Sequence, residues 1–196
     1  MKLKLYHARW SLCSQMVRVA MAEKGLSYES KPIKLCDQYP EGENLSLEYL
    51  AVNPKGIVPS LEIDGEIVTE STNIIKRLNE LSGEIDVDLW PDDVDQDLLN
   101  AWVADTTLTD GVPLGKTLGT AIPPFSIILI NFMVKKYLSF FQAIKVYWKH
   151  PLRDRGRFFL IMKFFNIQKP VAESCYKVLV NSCLLYTSDA ADDIPR

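Results

Sequence analysis

The chain has 196 residues, of which 47% are hydrophobic and 24% charged, with a formal net charge of −3. That composition suits one large or two small globular domains with their own cores, and the alternation of Lys2 and Lys4 with Leu3 and Leu5 argues against a signal or transit peptide, so a cytoplasmic protein is expected. Cys13, Cys36, Cys175 and Cys183 form no CxxC pair and have no His-rich partner set, which argues against a disulfide scaffold and a structural zinc site, and no metal is expected.

Residues 2–7 alternate Leu3 and Leu5 with polar neighbours and end in Tyr6, the pattern of a short strand. A helix is expected over 14–24, where Val17, Ala20 and Met21 fall at helical spacing and Gly25 stands in the C-cap position. A second strand over 27–35 completes a parallel crossover. After an irregular stretch with a short helix around 45–50, strands over 58–63 and 66–69 flank Asp64-Gly65, a tight hairpin signal. Ser71 is then placed to cap a helix through Ile74, Ile75, Leu78 and Leu81 that Gly83 ends. The expected order is β-α-β-α-β-β-α over residues 1–82, an α/β domain.

Residues 83–94 are acidic, contain Trp90-Pro91, and read as a linker. Beyond them the pattern is helical: one helix around Leu98, Leu99, Trp102 and Val103, a longer one over 125–148, and a third over 171–180. The apolar run 125–134 is interrupted by Lys135 and Lys136 well short of the roughly 20 residues a bilayer span needs, which favours a buried core helix. Membrane association is therefore not expected, although Lys135, Lys136, Lys145 and Lys149 beside bulky aromatics leave a surface contact open. The aromatic group Phe140, Phe141, Tyr147 and Trp148 is expected in the core. Residues 84–124 carry nine acidic side chains against Lys116, and 125–181 carry ten basic ones against Asp154 and Glu173, so these stretches should attract each other. The run Arg153, Arg155, Arg157 comes with no nucleic-acid recognition motif, and no nucleic-acid partner is expected.

Three clusters at the ends of expected strands carry the chemistry: Ser11 to Ser14, Val58-Pro59 and Glu70-Ser71. A helix N-terminus presents unpaired N–H groups and partial positive charge, which stabilises a nearby thiolate. Ser11, Cys13 and Ser14 sit there. A hydroxyl can donate to a bound thiolate and a cysteine can attack on its own account, whereas the plainer reading makes the serines caps and Cys13 a small packed hydrophobe. His7 and His150 have no triad partner or ligand spacing and receive no role.

SLCSQMVRVAMAEKGL, NPKGIVPSLEIDGE and an ES pair opening an Ile-rich helix together resemble the N-terminal domain of the cytosolic glutathione S-transferases. The Ser11-Leu12-Cys13 start is similar to zeta-class and tetrachlorohydroquinone dehalogenase-like members, and SQxVRxxxAEKG is similar to the ganglioside-induced differentiation-associated ones. The resemblance implies a thioredoxin-like domain over 1–82 followed by an all-helical substrate domain over 95–182. It also implies a cis bond before Pro59, leaving the Val58 backbone to pair with glutathione by strand addition. Glu70 and Ser71 would receive the glutamyl end, with Lys34, Gln38 and Lys55 as candidates for the glycyl carboxylate against a plainer reading as solvated side chains. Cys13 and Ser11 are the catalytic candidates, Ser14 joins Lys34, Gln38, Lys55, Val58, Pro59, Glu70 and Ser71 among the glutathione-binding candidates, and glutathione is the expected cosubstrate. The implied reaction transfers or exchanges its thiol with a small electrophile, by conjugation, isomerisation or reductive dehalogenation. The alternative is a catalytically inactive binding or scaffold protein of the same fold. A homodimer is expected of a full-length chain. Residues 183–196 (CLLYTSDAADDIPR) resemble translated adapter sequence, and no capping box follows Val180, so the helical domain is expected to be incomplete.

Overall fold

Strand alternation organises the first half of the molecule. In β1 (Leu3–His7), Leu3 and Leu5 face one side of the sheet and Tyr6 the other. The computed structural model describes residues 1–107, 112–113, 116–121, 136, 138–165, 173, 176–177 and 180–181. After β1 come α1 (Leu12–Glu23), β2 (Glu29–Pro32), a 3-10 turn (Glu43–Leu45), α2 (Leu47–Val52), β3 (Ser60–Ile63), β4 (Glu66–Thr69) and α3 (Ser71–Asn79). The sheet order is β2-β1-β3-β4, with β1 and β2 parallel and the other two pairs antiparallel. This is the expected β-α-β-α-β-β-α order of a thioredoxin-like domain.

The main core joins Leu3, Leu5, Leu61 and Ile63 of the sheet to Val17, Ala20 and Met21 of α1 and Ile74 and Leu78 of α3. Each leucine, isoleucine, valine or methionine among them contributes about 1.5–3 kcal/mol when fully withdrawn from water. On the opposite face Tyr6, Ala8, Ile33, Leu35 and Tyr49 form a second cluster. Two glycines fix the ends of these elements. Gly25 adopts φ +62 after α1. A Cβ on Gly83 would collide with the Lys24 carbonyl, so the chain after α3 closes onto α1 only with glycine there.

Several boundaries differ from expectation. Strand β2 is four residues long and exposed along its length. Helix α3 is capped by Glu70 rather than Ser71, because Glu70 takes φ +67 and its carbonyl already accepts the Ile74 N–H at 2.9 Å. It ends at Asn79, before Gly83.

By contacts the described residues fall into two units, one within Met1–Asp93 and Met133–Ile161, the other within Val94–Phe132 and Met162–Arg196. In the second unit α4 (Gln96–Thr106) begins at Asp95, whose Oδ1 accepts the N–H groups of Asp97 and Leu98. In the first, α5 (Phe140–Trp148) starts at a capping box in which Ser139 and Gln142 bond each other's backbone N–H. That box breaks the single helix expected over 125–148, whose earlier part lies outside the described residues, as do most of the helix expected over 171–180 and all of 183–196. Tyr147 is buried as expected, but Phe140, Phe141 and Trp148 are exposed, because α5 turns only the Ala143–Tyr147 side inward. Helix α6 (Arg153–Phe164) was not foreseen; Pro151 and Asp154 mark its start and its basic residues obscured it.

Candidate functional site

Sheet register gathers the three clusters. Tyr6 pairs with Ser60 and Ser60 with Thr69, so the loop leaving β1, the segment entering β3 and the residues leaving β4 share one end of the sheet. Lys55 Nζ lies 2.8 Å from Glu70 Oε1, which joins the second cluster to the third.

At the first cluster Ser11 is the N-cap of α1, and its Oγ accepts the Ser14 N–H at 3.3 Å. That leaves its own proton for another acceptor. Ser14 is fully buried and accepts the Ala8 N–H at 3.2 Å, so its hydroxyl holds the β1–α1 loop against the helix. Cys13, a reduced and partly buried thiol, is the second residue of α1. No acid stands in the first turn, so the positive end of the helix is not neutralised locally. His7, at the end of β1, is buried with Nε2 2.8 Å from Ser30 Oγ. Burial, with Arg18 and Arg9 adding to it, lowers its pKa and keeps the ring neutral.

The second cluster rests on three buried side chains that sequence reasoning did not single out. Asn44 accepts the Cys36 N–H at 2.8 Å and donates to the Gly56 carbonyl at 2.8 Å, tying the loop after β2 to the loop before β3. Tyr49 Oη donates to the Ile57 carbonyl at 2.6 Å, and Asn53 Nδ2 donates to the same oxygen at 3.0 Å and to Ser60 Oγ at 3.1 Å. Burial pushes the Tyr49 pKa up to about 12, so it stays a donor at neutral pH. The signal was present in Asn53-Pro54-Lys55-Gly56, an Asx turn in which Asn53 Oδ1 accepts the Lys55 N–H. The Val58-Pro59 bond is cis. With Gly56 and Ile57 held from beneath, the backbone N–H and C=O of Val58 take no hydrogen bond among the described residues.

At the third cluster the half-exposed Glu70 carboxylate makes no cap bond. The Ser71 hydroxyl takes no hydrogen bond among the described residues, and the first turn of α3 holds no acid. Lys34 leaves the end of β2, which the parallel pairing of Pro32 with His7 puts at this same end of the sheet, and its Nζ is paired with Glu41 Oε1 at 2.8 Å, which raises its pKa. Gln38 follows it in the same loop, with Oε1 buried and without a hydrogen-bond partner among the described residues. Tyr147 of α5 reaches this loop, donating from Oη to the Cys36 carbonyl at 3.1 Å. Among the described residues no group of three or more His, Cys, Asp or Glu is placed to hold a metal ion.

Residues 10–81 match the family model of the glutathione S-transferase N-terminal domain. The chain is 44% identical over 79 residues to a maleylacetoacetate isomerase of Pseudomonas aeruginosa, covering 40% of this chain and 36% of that one. It is 37% identical over 114 residues to a zeta-class glutathione S-transferase of Euphorbia esula, covering 58% of this chain and 48% of that one. It thus spans less than half the length of these relatives. Among solved structures the beta-etherase LigF of Sphingobium sp. strain SYK-6 superposes with a TM-score of 0.75 at 21% identity, over 93% of this chain and 70% of that one, a likeness of fold. Residues 10–81 thus form a glutathione S-transferase N-terminal domain, similar over that stretch to those of the zeta-class transferase and the maleylacetoacetate isomerase.

Proposed function

We infer that the sheet end formed by α1, the 53–59 loop and α3 binds glutathione and ionises its thiol for attack on a small electrophile. The observation that carries this reading is the unoccupied backbone of Val58, held beside a Glu70-Ser71 helix start and one sheet register away from the start of α1. An extended tripeptide adds to such an edge through main-chain hydrogen bonds. Its glutamyl end carries an ammonium and a carboxylate, which suit Glu70 and the N-terminus of α3 with the Ser71 hydroxyl. Its glycyl carboxylate suits a cation, and Lys55 is the candidate nearest the rest of the site; Lys34 and Gln38 are the candidates from the loop after β2.

With the tripeptide so placed, its sulfur lies toward the first turn of α1. The Ser11 proton and the helix N–H groups then stabilise the thiolate as the thiol proton leaves to solvent. In conjugation the sulfur forms a bond to the electrophilic carbon as a leaving group departs with its electron pair. In isomerisation it adds to a carbon–carbon double bond and is expelled after rotation. Cys13 supports the related exchange: its thiolate attacks the sulfur of a glutathione adduct, forming a mixed disulfide as the carbon fragment leaves with the electron pair and takes a proton, or attacks the carbon, forming a Cys13 thioether as glutathione thiolate leaves. Ser14 supports all of these by fixing the loop.

Calorimetric titration of the full chain with reduced glutathione tests the reading. Glu70→Ala should weaken binding roughly tenfold or more, the usual loss for one charge-assisted contact. Equal affinity for wild type and Glu70→Ala would remove Glu70 from the site, and no binding by wild type would remove the site. Binding without turnover of any electrophile would favour the scaffold reading.

A further inference from the structure

Helix α5 turns most of its large apolar side chains to solvent. Phe140, Phe141, Ile144 and Trp148 are 52%, 80%, 37% and 68% exposed, whereas Ala143 and Tyr147 of the same helix are buried. At about 100° per residue the four exposed side chains fall within an arc of about 100°, a single stripe beside the buried face. Phe140 and Phe141 meet edge to face at its N-terminal end, with centroids 5.3 Å apart. Cations border the stripe. Lys145 follows Phe141 by one turn, Lys149 closes the helix, and Arg153 donates to the Trp148 carbonyl at 2.7 Å. Arg157 joins Arg153, Trp148 and Tyr147 around a cleft of about 250 Å³. Over residues 136–165 there are seven basic side chains and one acid, Asp154, which Arg157 pairs.

We propose that α5 is a membrane-contact helix whose Phe140–Phe141–Ile144–Trp148 stripe rests in the interface of an anionic phospholipid surface, with Lys145, Lys149, Arg153 and Arg157 on the headgroups. Tryptophan and phenylalanine favour that boundary, and long basic side chains beside them gain from negative lipid. No helix among the described residues is long and apolar enough to cross a membrane, so the contact is one of lying on the surface. A second copy of the chain suits the stripe less well, because a two-fold pairing would bring the same cations against each other. A nucleic acid would engage the cations but gives no reason for an exposed Ile144 between two phenylalanines and a tryptophan. This surface uses none of the residues proposed for glutathione, so either reading can fail without the other.

The test is co-sedimentation of the full chain with vesicles of phosphatidylcholine alone and of phosphatidylcholine with phosphatidylserine. Binding is expected to the serine-containing vesicles alone, to fall with salt, and to shift tryptophan emission to the blue. Lys145→Ala with Lys149→Ala should lower it roughly thirtyfold, about fivefold per lysine. Phe141→Ser with Trp148→Ser should lower it roughly tenfold or more. All four positions are exposed, and far-UV circular dichroism is the check that the variants fold. No sedimentation, equal sedimentation with both vesicles, or binding indifferent to both variant pairs overturns the proposal. So does lipid-free self-association abolished by the serine pair, or retention of a single-stranded oligonucleotide by a chain that ignores phosphatidylserine.

Discussion

The sheet domain and α4 are both rich in apolar residues but use them differently. In residues 1–81 the apolar side chains converge from two helices and three strands on a common interior, and buried polar groups such as Asn44 and Asn53 bond to specific backbone atoms. In α4 no residue is buried, and Leu98 and Trp102 face outward. Helical spacing of apolar residues defines a face without defining what covers it. A strand register together with buried hydrogen bonds defines positions to within a fraction of an ångström, and a binding site needs the second kind of instruction.

The largest effect that sharpens this comparison is in the core. Leu61→Ala should cost about 2–5 kcal/mol in urea unfolding, while Leu98→Ala in α4 should stay within about 0.5 kcal/mol. Equal losses would mean that α4 is as much a part of the cooperative structure as the sheet. A smaller effect is expected at the loop supports. Asn53→Ala leaves the Ser60 hydroxyl with Tyr49 Oη as its remaining partner and weakens the hold on the Ile57 carbonyl, costing about 1–3 kcal/mol. It should also weaken glutathione binding, through displacement of Val58, although Asn53 itself is buried beneath the loop. Loss of stability with unchanged affinity would separate the loop from the site.

The smallest effect concerns His7. Its folded pKa is below the ordinary value of 6.5, so the unfolded state binds the proton more readily. The sign follows: this contribution is fully present above pH 6.5 and is lost as the pH falls through the folded pKa. His7→Gln should flatten that part of the stability profile. An unchanged slope in the variant would assign the acid sensitivity to other groups.

Much of this was legible in the sequence, for physical reasons that differ by element. Leu3/Leu5 alternation, the Asp64-Gly65 turn and Gly25 after α1 are local signals, and the hairpin strand Glu66–Thr69 falls where they place it. The cap of α3 was misplaced by one residue because the positive φ of Glu70 is imposed by the turn out of β4, not by its own preference. Asn44 and Tyr49 were invisible because their roles are contacts with backbone atoms 8 or 12 residues away in chain order, which no periodicity reports. Phe140, Phe141 and Trp148 of α5 were misread because hydrophobicity was taken as burial, while the Ser139-x-x-Gln142 box that sets the rotation of the helix went unread.

Ser11 and Cys13 at the start of α1 are proposed to share one glutathione site with Val58, Glu70 and Ser71. The most direct measurement is the rate of Cys13 alkylation by iodoacetamide in the full chain, followed by mass spectrometry with and without the non-thiol analogue S-methylglutathione. The account predicts that the analogue slows Cys13 labelling, and that Glu70→Ala raises the concentration needed roughly tenfold or more. Labelling of Cys13 that is indifferent to the analogue at concentrations saturating its calorimetric binding would contradict it, by placing the tripeptide away from the α1 N-terminus.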